Sequence, residues 1–193
     1  MITALHRALT DPGIRPLPPA AERLLVSLNA PPRLAAHLRA VHDAATELLA
    51  WVGVCCPALH VDRGAVLFGA ATHDIGKIRH PEELSGPGHA HERAGYQLLV
   101  EQHVPDALAR FARTHAAWTE PDIGVNDLLV SCADKVWKAK RVPDLEQLLV
   151  DRLATANGSE PWQAFLDLDE ELTRIAADAD RKLDFQNRHP LAA

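Results

Sequence analysis

Little in this sequence points to a membrane, to export or to a nucleic-acid surface. No apolar stretch approaches the roughly eighteen residues that a spanning helix needs, so no membrane partner is expected. The opening MITALHRALTDPGIRPLPP lacks a cationic start followed by a long apolar segment, which argues against a signal peptide. The three cysteines, Cys55, Cys56 and Cys132, are odd in number and two are adjacent, which excludes a disulfide framework and the spacing of a zinc knuckle. A cytoplasmic protein is the expectation. A basic excess is also missing: the net charge of -6 and pI near 6.0 argue against a broad grip on nucleic-acid backbone, so no extended nucleic acid is expected as partner. Alternating strand patterns, internal repeats and low-complexity tracts are absent. Aromatic residues amount to 5%, which makes Trp118 and Trp137, each beside a candidate site residue, worth noting.

What is present is a chain of 193 residues, 47% hydrophobic and 24% charged, suited to one domain over 1–193. Six of its fourteen prolines fall in the first 32 residues, which predicts an irregular arm that wraps the core around one short helix, AERLLVSL. From residue 33 the pattern changes. In RLAAHLRAVHDAATELLAWV, residues Leu34, Leu38, Val41, Ala45 and Leu48 recur at three- and four-residue spacing, the mark of an amphipathic helix. Further helices are predicted at about 62–74, 90–102, 105–117, 124–140, 144–156 and 161–185, the last two with prolines near their starts. The fold class expected is an all-α bundle.

Histidine is plentiful, at eleven. His37 lies three residues after Leu34 and four before Val41, on or beside the buried stripe of its helix, whereas His42 lies nearer the polar side and reads as a surface or supporting residue. The apolar run AVLFGAAT stops at HDIGKI, where His73 and Asp74 are followed by Lys77. GHAHERAGYQLL places His91 at a helix start, four before Gly95, whose missing side chain allows close packing; HExxG is not the HExxH of zinc proteases. RFARTHAAW ends a helix with His115, and LLVSCADKVWK sets Asp134 inside an apolar run, where an unpaired carboxylate is costly. Singly each has an ordinary structural explanation. Together, four histidines and two aspartates on apolar faces form a mixed nitrogen and oxygen set, which suits manganese, iron, nickel or zinc better than calcium and is large enough for a second ion.

These residues resemble the HD-domain superfamily of metal-dependent phosphohydrolases. The pattern H…HD…D is carried by His37, His73 with Asp74, and Asp134; Val41 follows the first histidine by four and Ala133 precedes the last aspartate, as is common in the family. His91 and His115 fall where two-metal branches place extra ligands. The resemblance spans about residues 33–140 and implies an HD-domain-like helical bundle, here without attached domains, with the proline-rich arm and the C-terminal helices packed on it. HDIGK is similar to the HD-GYP branch, but THAAWTEPDIGVND stands where its GYP stretch would be, so cyclic di-GMP hydrolysis is not expected.

The resemblance implies that His37, His73, Asp74 and Asp134 bind one divalent transition ion (Mn, Fe, Ni, Co or Zn), and that Asp74 could bridge to a second held by His91 and His115. Water activated there would attack the phosphorus of a small phosphate ester or anhydride, with a nucleotide as the expected substrate. Candidates to meet its anionic oxygens are Lys77, Arg33, Arg93, Lys135 and Lys138. Glu92 is a candidate proton carrier or ligand-orienting group, with helix-start stabilisation an equal reading, and Trp118 or Trp137 could stack on a base. Two other readings stand beside this one: a di-iron oxygenase and a non-catalytic ligand-binding protein. A homodimer is possible on family grounds.

Overall fold

In the computed structural model, which describes residues 3–191, two helices rather than one occupy the proline-rich start: α1, Ala4–Thr10, and α2, Pro19–Ser27. The expected irregular arm is corrected to that extent. Thr3 caps α1 by accepting from the His6 amide at 3.1 Å, and Pro19 opens α2, where its missing N–H would have had no helical partner. α1 lies on α3, Pro32–Cys55, through buried Leu5, Ala8 and Leu9, and α2 joins the same buried cluster through Ala21 and Leu25. The buried Arg39 of α3 ties the arm down: its guanidinium donates to the backbone carbonyls of Ala8, Asp11, Ile14 and Arg15.

The 24 residues of α3 rise about 36 Å and form the axis of the molecule. Alanines at 35, 36, 40, 44 and 45 let neighbours approach on several sides, so most of the helix is buried rather than only the predicted stripe. Leu34, Ala35 and Leu38 join a core cluster with α1 and α2. Val41, Ala45, Leu48 and Val52 join a larger one built with the later helices.

The predicted helix 62–74 is shorter. Asp62 caps α4, Arg63–Ala70, by accepting from the Ala65 amide at 2.9 Å. The chain then leaves helical register. His73 and Asp74 pass through a turn that leads into a 3-10 segment, Ile75–Ile78. A second such segment, Pro81–Leu84, precedes α5, Ala90–Glu101. Gly76 allows the first segment to pack on α5: a Cβ there would stand 1.9 Å from the His91 carbonyl oxygen. Gly95 meets it from the other side, as its lack of a side chain suggested.

The stretch predicted as 105–117 divides into α6, Asp106–Ala109, and α7, Phe111–Thr114, because the Arg113 amide bonds one residue early, to the Arg110 carbonyl at 2.9 Å. Next come α8, Val125–Val136, and α9, Pro143–Asn157, which ends on Gly158 in the left-handed region (φ 62°), where glycine is favoured. The final predicted helix is two: α10, Pro161–Ala176, and α11, Ala179–Asn187. The break lets α11 turn back onto α3, where buried Lys182 reaches Glu47 at 2.9 Å. Among the described residues there is no strand, and no helix is long and apolar enough to cross a membrane.

Candidate metal centre

Six side chains foreseen as a set converge beside α3. His37 comes from the second turn of α3, His73 and Asp74 from the turn after α4, His91 from the first turn of α5, His115 from just beyond α7, and Asp134 from the last turn of α8. The expectation that each sits on a helix face is corrected for three of them, since His73, Asp74 and His115 lie past helix ends. All six are buried, at 9% exposure or less.

Asp74 is the hub. Its Oδ2 lies 3.1 Å from His37 Nε2 and 3.7 Å from His73 Nε2, and its Oδ1 lies 3.0 Å from His91 Nε2 and 3.5 Å from His115 Nε2. Asp134 Oδ1 closes the first side, 3.4 Å from His73 Nε2 and 3.9 Å from His37 Nε2. Two groups could therefore each hold an ion, His37 with His73 and Asp74, and Asp74 with His91 and His115, with Asp134 flanking the first.

The remaining ring nitrogens explain the orientation. His73 Nδ1 donates to the Ala70 carbonyl at 3.0 Å, and His115 Nδ1 to that of Ala112 at 3.0 Å. His37 Nδ1 meets Gln186 Oε1 at 3.1 Å, and His91 Nδ1 donates to Glu83 Oε2. With the proton on Nδ1, a neutral imidazole presents a lone pair at Nε2. Nε2 of His37, His73 and His91 is buried and has no hydrogen-bond partner, although carboxylate oxygens stand close by. Lone pairs facing carboxylates in a buried site call for a cation between them, so the donor set fits a divalent ion.

Burial alone would push the Asp74 carboxyl up, yet the imidazoles of His73, His37 and His91 hold it well below the usual carboxylate range. Burial works the same way on Asp134 and is overcome by His73 and then Lys135. Burial pushes His37 down and, with His73 beside it, takes His115 to about 3. In His91 burial is outweighed by Asp74 and Glu83, which raise it.

A cleft of about 200 Å³ opens on the His37 side, lined by Arg33, Lys77, Leu84, Trp137, Lys138, Leu183 and Gln186. Of the foreseen cations, Lys77 lies 2.5 Å from Asp74 Oδ2 and Lys135 2.6 Å from Asp134 Oδ2. Lys138 is exposed at the rim. Arg33 lines the cleft, but its guanidinium is bonded to the carbonyls of Asn187 and His189. Arg93 is exposed on α5, and Glu92 pairs with exposed His89 at 3.0 Å, so neither is brought to the cluster. Trp118 is half-buried beneath Lys135, whose Nζ is 5.7 Å from its ring centre. Trp137 is 2% exposed and edge-on to His37, which makes it a packing residue rather than a stacking platform. His42 is buried, not on the surface; burial pushes it down to about 4.

Sequence reasoning missed two supporting residues, Glu83 and Gln186. Glu83 lies in a loop that carried no periodic signal, and Gln186 stands 149 residues from its partner. No curated protein and no solved structure matches the chain. A family model for the HD domain matches residues 34–181, which extends the resemblance well past residue 140 and takes in more than half of the chain. The order His37, His73, Asp74, Asp134, now gathered in one buried centre on an all-α frame, goes with that match, and the protein belongs to the HD-domain family.

Proposed function

We propose that this protein is a metal-dependent phosphohydrolase acting on a small phosphate ester or anhydride, with a nucleotide as the substrate class. The observation that carries the reading is Asp74, whose two oxygens face two histidine pairs beside a cleft edged by cations. His37, His73, Asp74 and Asp134 would hold one divalent ion, and Asp74, His91 and His115 a second. Such ions lower the pKa of water toward neutrality and draw charge from phosphoryl oxygens.

The chain's own residues have the remaining tasks. The Nδ1 hydrogen bonds fix four imidazoles with Nε2 inward, so the donor set is in place before substrate arrives. Lys77 and Lys138 offer ammonium groups to the anionic oxygens of a phosphate seated in the cleft, Lys77 from beside Asp74 and Lys138 from the rim. Leu84, Leu183 and Trp137 supply apolar wall, which limits water around the reacting group.

The test is phosphate release by manganese- or cobalt-loaded protein from mono-, tri- and cyclic nucleotides and an aryl phosphate. Turnover of at least one is expected. No turnover of any, with bound metal confirmed, overturns the proposal; oxygen uptake by the iron-loaded protein would instead assign the centre to di-iron oxygenase chemistry.

A further inference from the structure

The four inward imidazoles are not held alike. His73 and His115 lean on backbone carbonyls and His37 on a neutral amide, whereas His91 leans on the buried carboxylate of Glu83. Glu83 is built into this position. Its Oε1 accepts from the Ala90 amide at 3.0 Å, and its Oε2 accepts from the His91 amide at 3.1 Å as well as from His91 Nδ1. Gly88 makes room for it, since a Cβ there would stand 2.2 Å from Glu83 Oε1. One carboxylate thus completes the start of α5 and sets the ring that the same turn carries.

We propose that Glu83 is a positioning residue that makes the His91, His115 and Asp74 side of the centre a distinct ion position, dependent on Glu83, while the His37, His73 and Asp134 side is not. The inference rests on the metal-centre reading above. Chemically, an ionised carboxylate can only accept, so it keeps a proton on His91 Nδ1 and leaves Nε2, 3.0 Å from Asp74 Oδ1, as the atom that a bound ion would take in place of a proton. Its charge also makes the imidazole a stronger donor to a cation, an effect that outer partners of ligating histidines exert at about 10- to 100-fold in affinity. Without a carboxylate behind it, that side would have only the shared Asp74 as an anionic group, whereas the other side has Asp134 in addition.

The informative variant is Glu83→Gln. The amide oxygen can still accept from the Ala90 amide, so one of the two bonds at the start of α5 is retained, while the His91 amide loses its acceptor. The amide nitrogen, turned to His91 Nδ1, donates where the carboxylate accepted, and drives the proton to Nε2. Titration of chelator-treated protein with manganese, followed by calorimetry and elemental analysis, should show two ions in the wild type and, in Glu83→Gln, one of them weakened by about 10- to 100-fold with the other unchanged. Nitrogen-15 NMR of His91 in metal-free protein should show a proton on Nδ1 in the wild type and none there in the variant. Equal weakening of both ions, unchanged binding of both, or a single wild-type ion indifferent to the substitution overturns the proposal. If the wild type takes up no ion, the metal-centre reading fails, and the NMR arm then decides alone: a proton still on Nδ1 in the variant overturns the positioning role.

Discussion

Two buried groups of charged side chains lie along α3, and they are finished differently. Around Arg39 and Asp43 each charge has its partner: Arg39 donates to four carbonyls, Asp43 accepts from Arg15 at 2.8 Å, and Lys182, fully buried, sits 2.9 Å from Glu47 and 3.6 Å from Asp43. Around His37 the carboxylates face imidazole nitrogens with no hydrogen bond between them. The hollow beside Arg39, Asp43 and Glu47 is the larger, about 760 Å³ against about 200 Å³. Size is therefore a poor guide to chemistry here. A buried charged group whose bonds are complete within the chain serves the fold, whereas several open nitrogens converging on shared carboxylates make a donor set that fits an ion.

That contrast can be broken most decisively at Asp74. Asp74→Asn removes the oxygen charge shared by both histidine pairs, and we expect loss of both ions by elemental analysis and phosphate release at background. At Arg39 the outcome should be the reverse. Arg39→Ala strands four backbone carbonyls and should lower stability by about 4 kcal/mol in urea titration, while the ion affinity of the folded fraction stays as in the wild type. Chelation sharpens the comparison from the other side. An ion held at 100 times its Kd stabilises the fold by about 2.7 kcal/mol, so adding chelator should lower Tm by roughly 5 to 10 °C. The same treatment of the Asp74→Asn variant should leave Tm unmoved. The smallest effect is expected at Lys77→Ala. It removes one charged contact to substrate oxygens, for a fall of about 10- to 100-fold in kcat/KM, with ion content maintained because Lys77 pairs with Asp74 rather than serving as a donor to metal.

The six converging residues were legible because His37, His73, Asp74 and Asp134 interrupt apolar patterns with groups that are costly to bury alone, and because the order of the set follows the family's. Helical periodicity also placed α3, α5, α8 and α9 to within a few residues of their ends. The supporting residues were hidden for physical reasons. Arg39 reads as a solvated arginine until the carbonyls at the end of α1 are known to need donors. Glu83 belongs to a loop with no period, so nothing links it to His91 except tertiary structure. The break at Ala177 and Asp178 has no proline or glycine to announce it; the Asp178 amide bonds to Ile175 instead of continuing the ladder, and α11 leaves at a new angle. The N-terminal helices were masked by prolines, which follow the end of α1 and sit at or before the first turn of α2 rather than within either helix.

One consequence concerns time rather than space. His37 belongs to the earliest part of the matched region, yet the amide that holds its ring is Gln186, and the Arg33 amide one turn earlier is bonded to the Pro190 carbonyl at 3.0 Å. Contacts between residues so far apart in sequence are among the slowest to form. On a ribosome, α3 emerges and acquires its neighbours long before α11 exists, so His37 spends most of synthesis with its ring unrestrained. Competence to bind the ion that His37 would help hold is thus acquired when α11 docks, and a nascent chain folded through α10 would be compact with that side of the centre not yet ready.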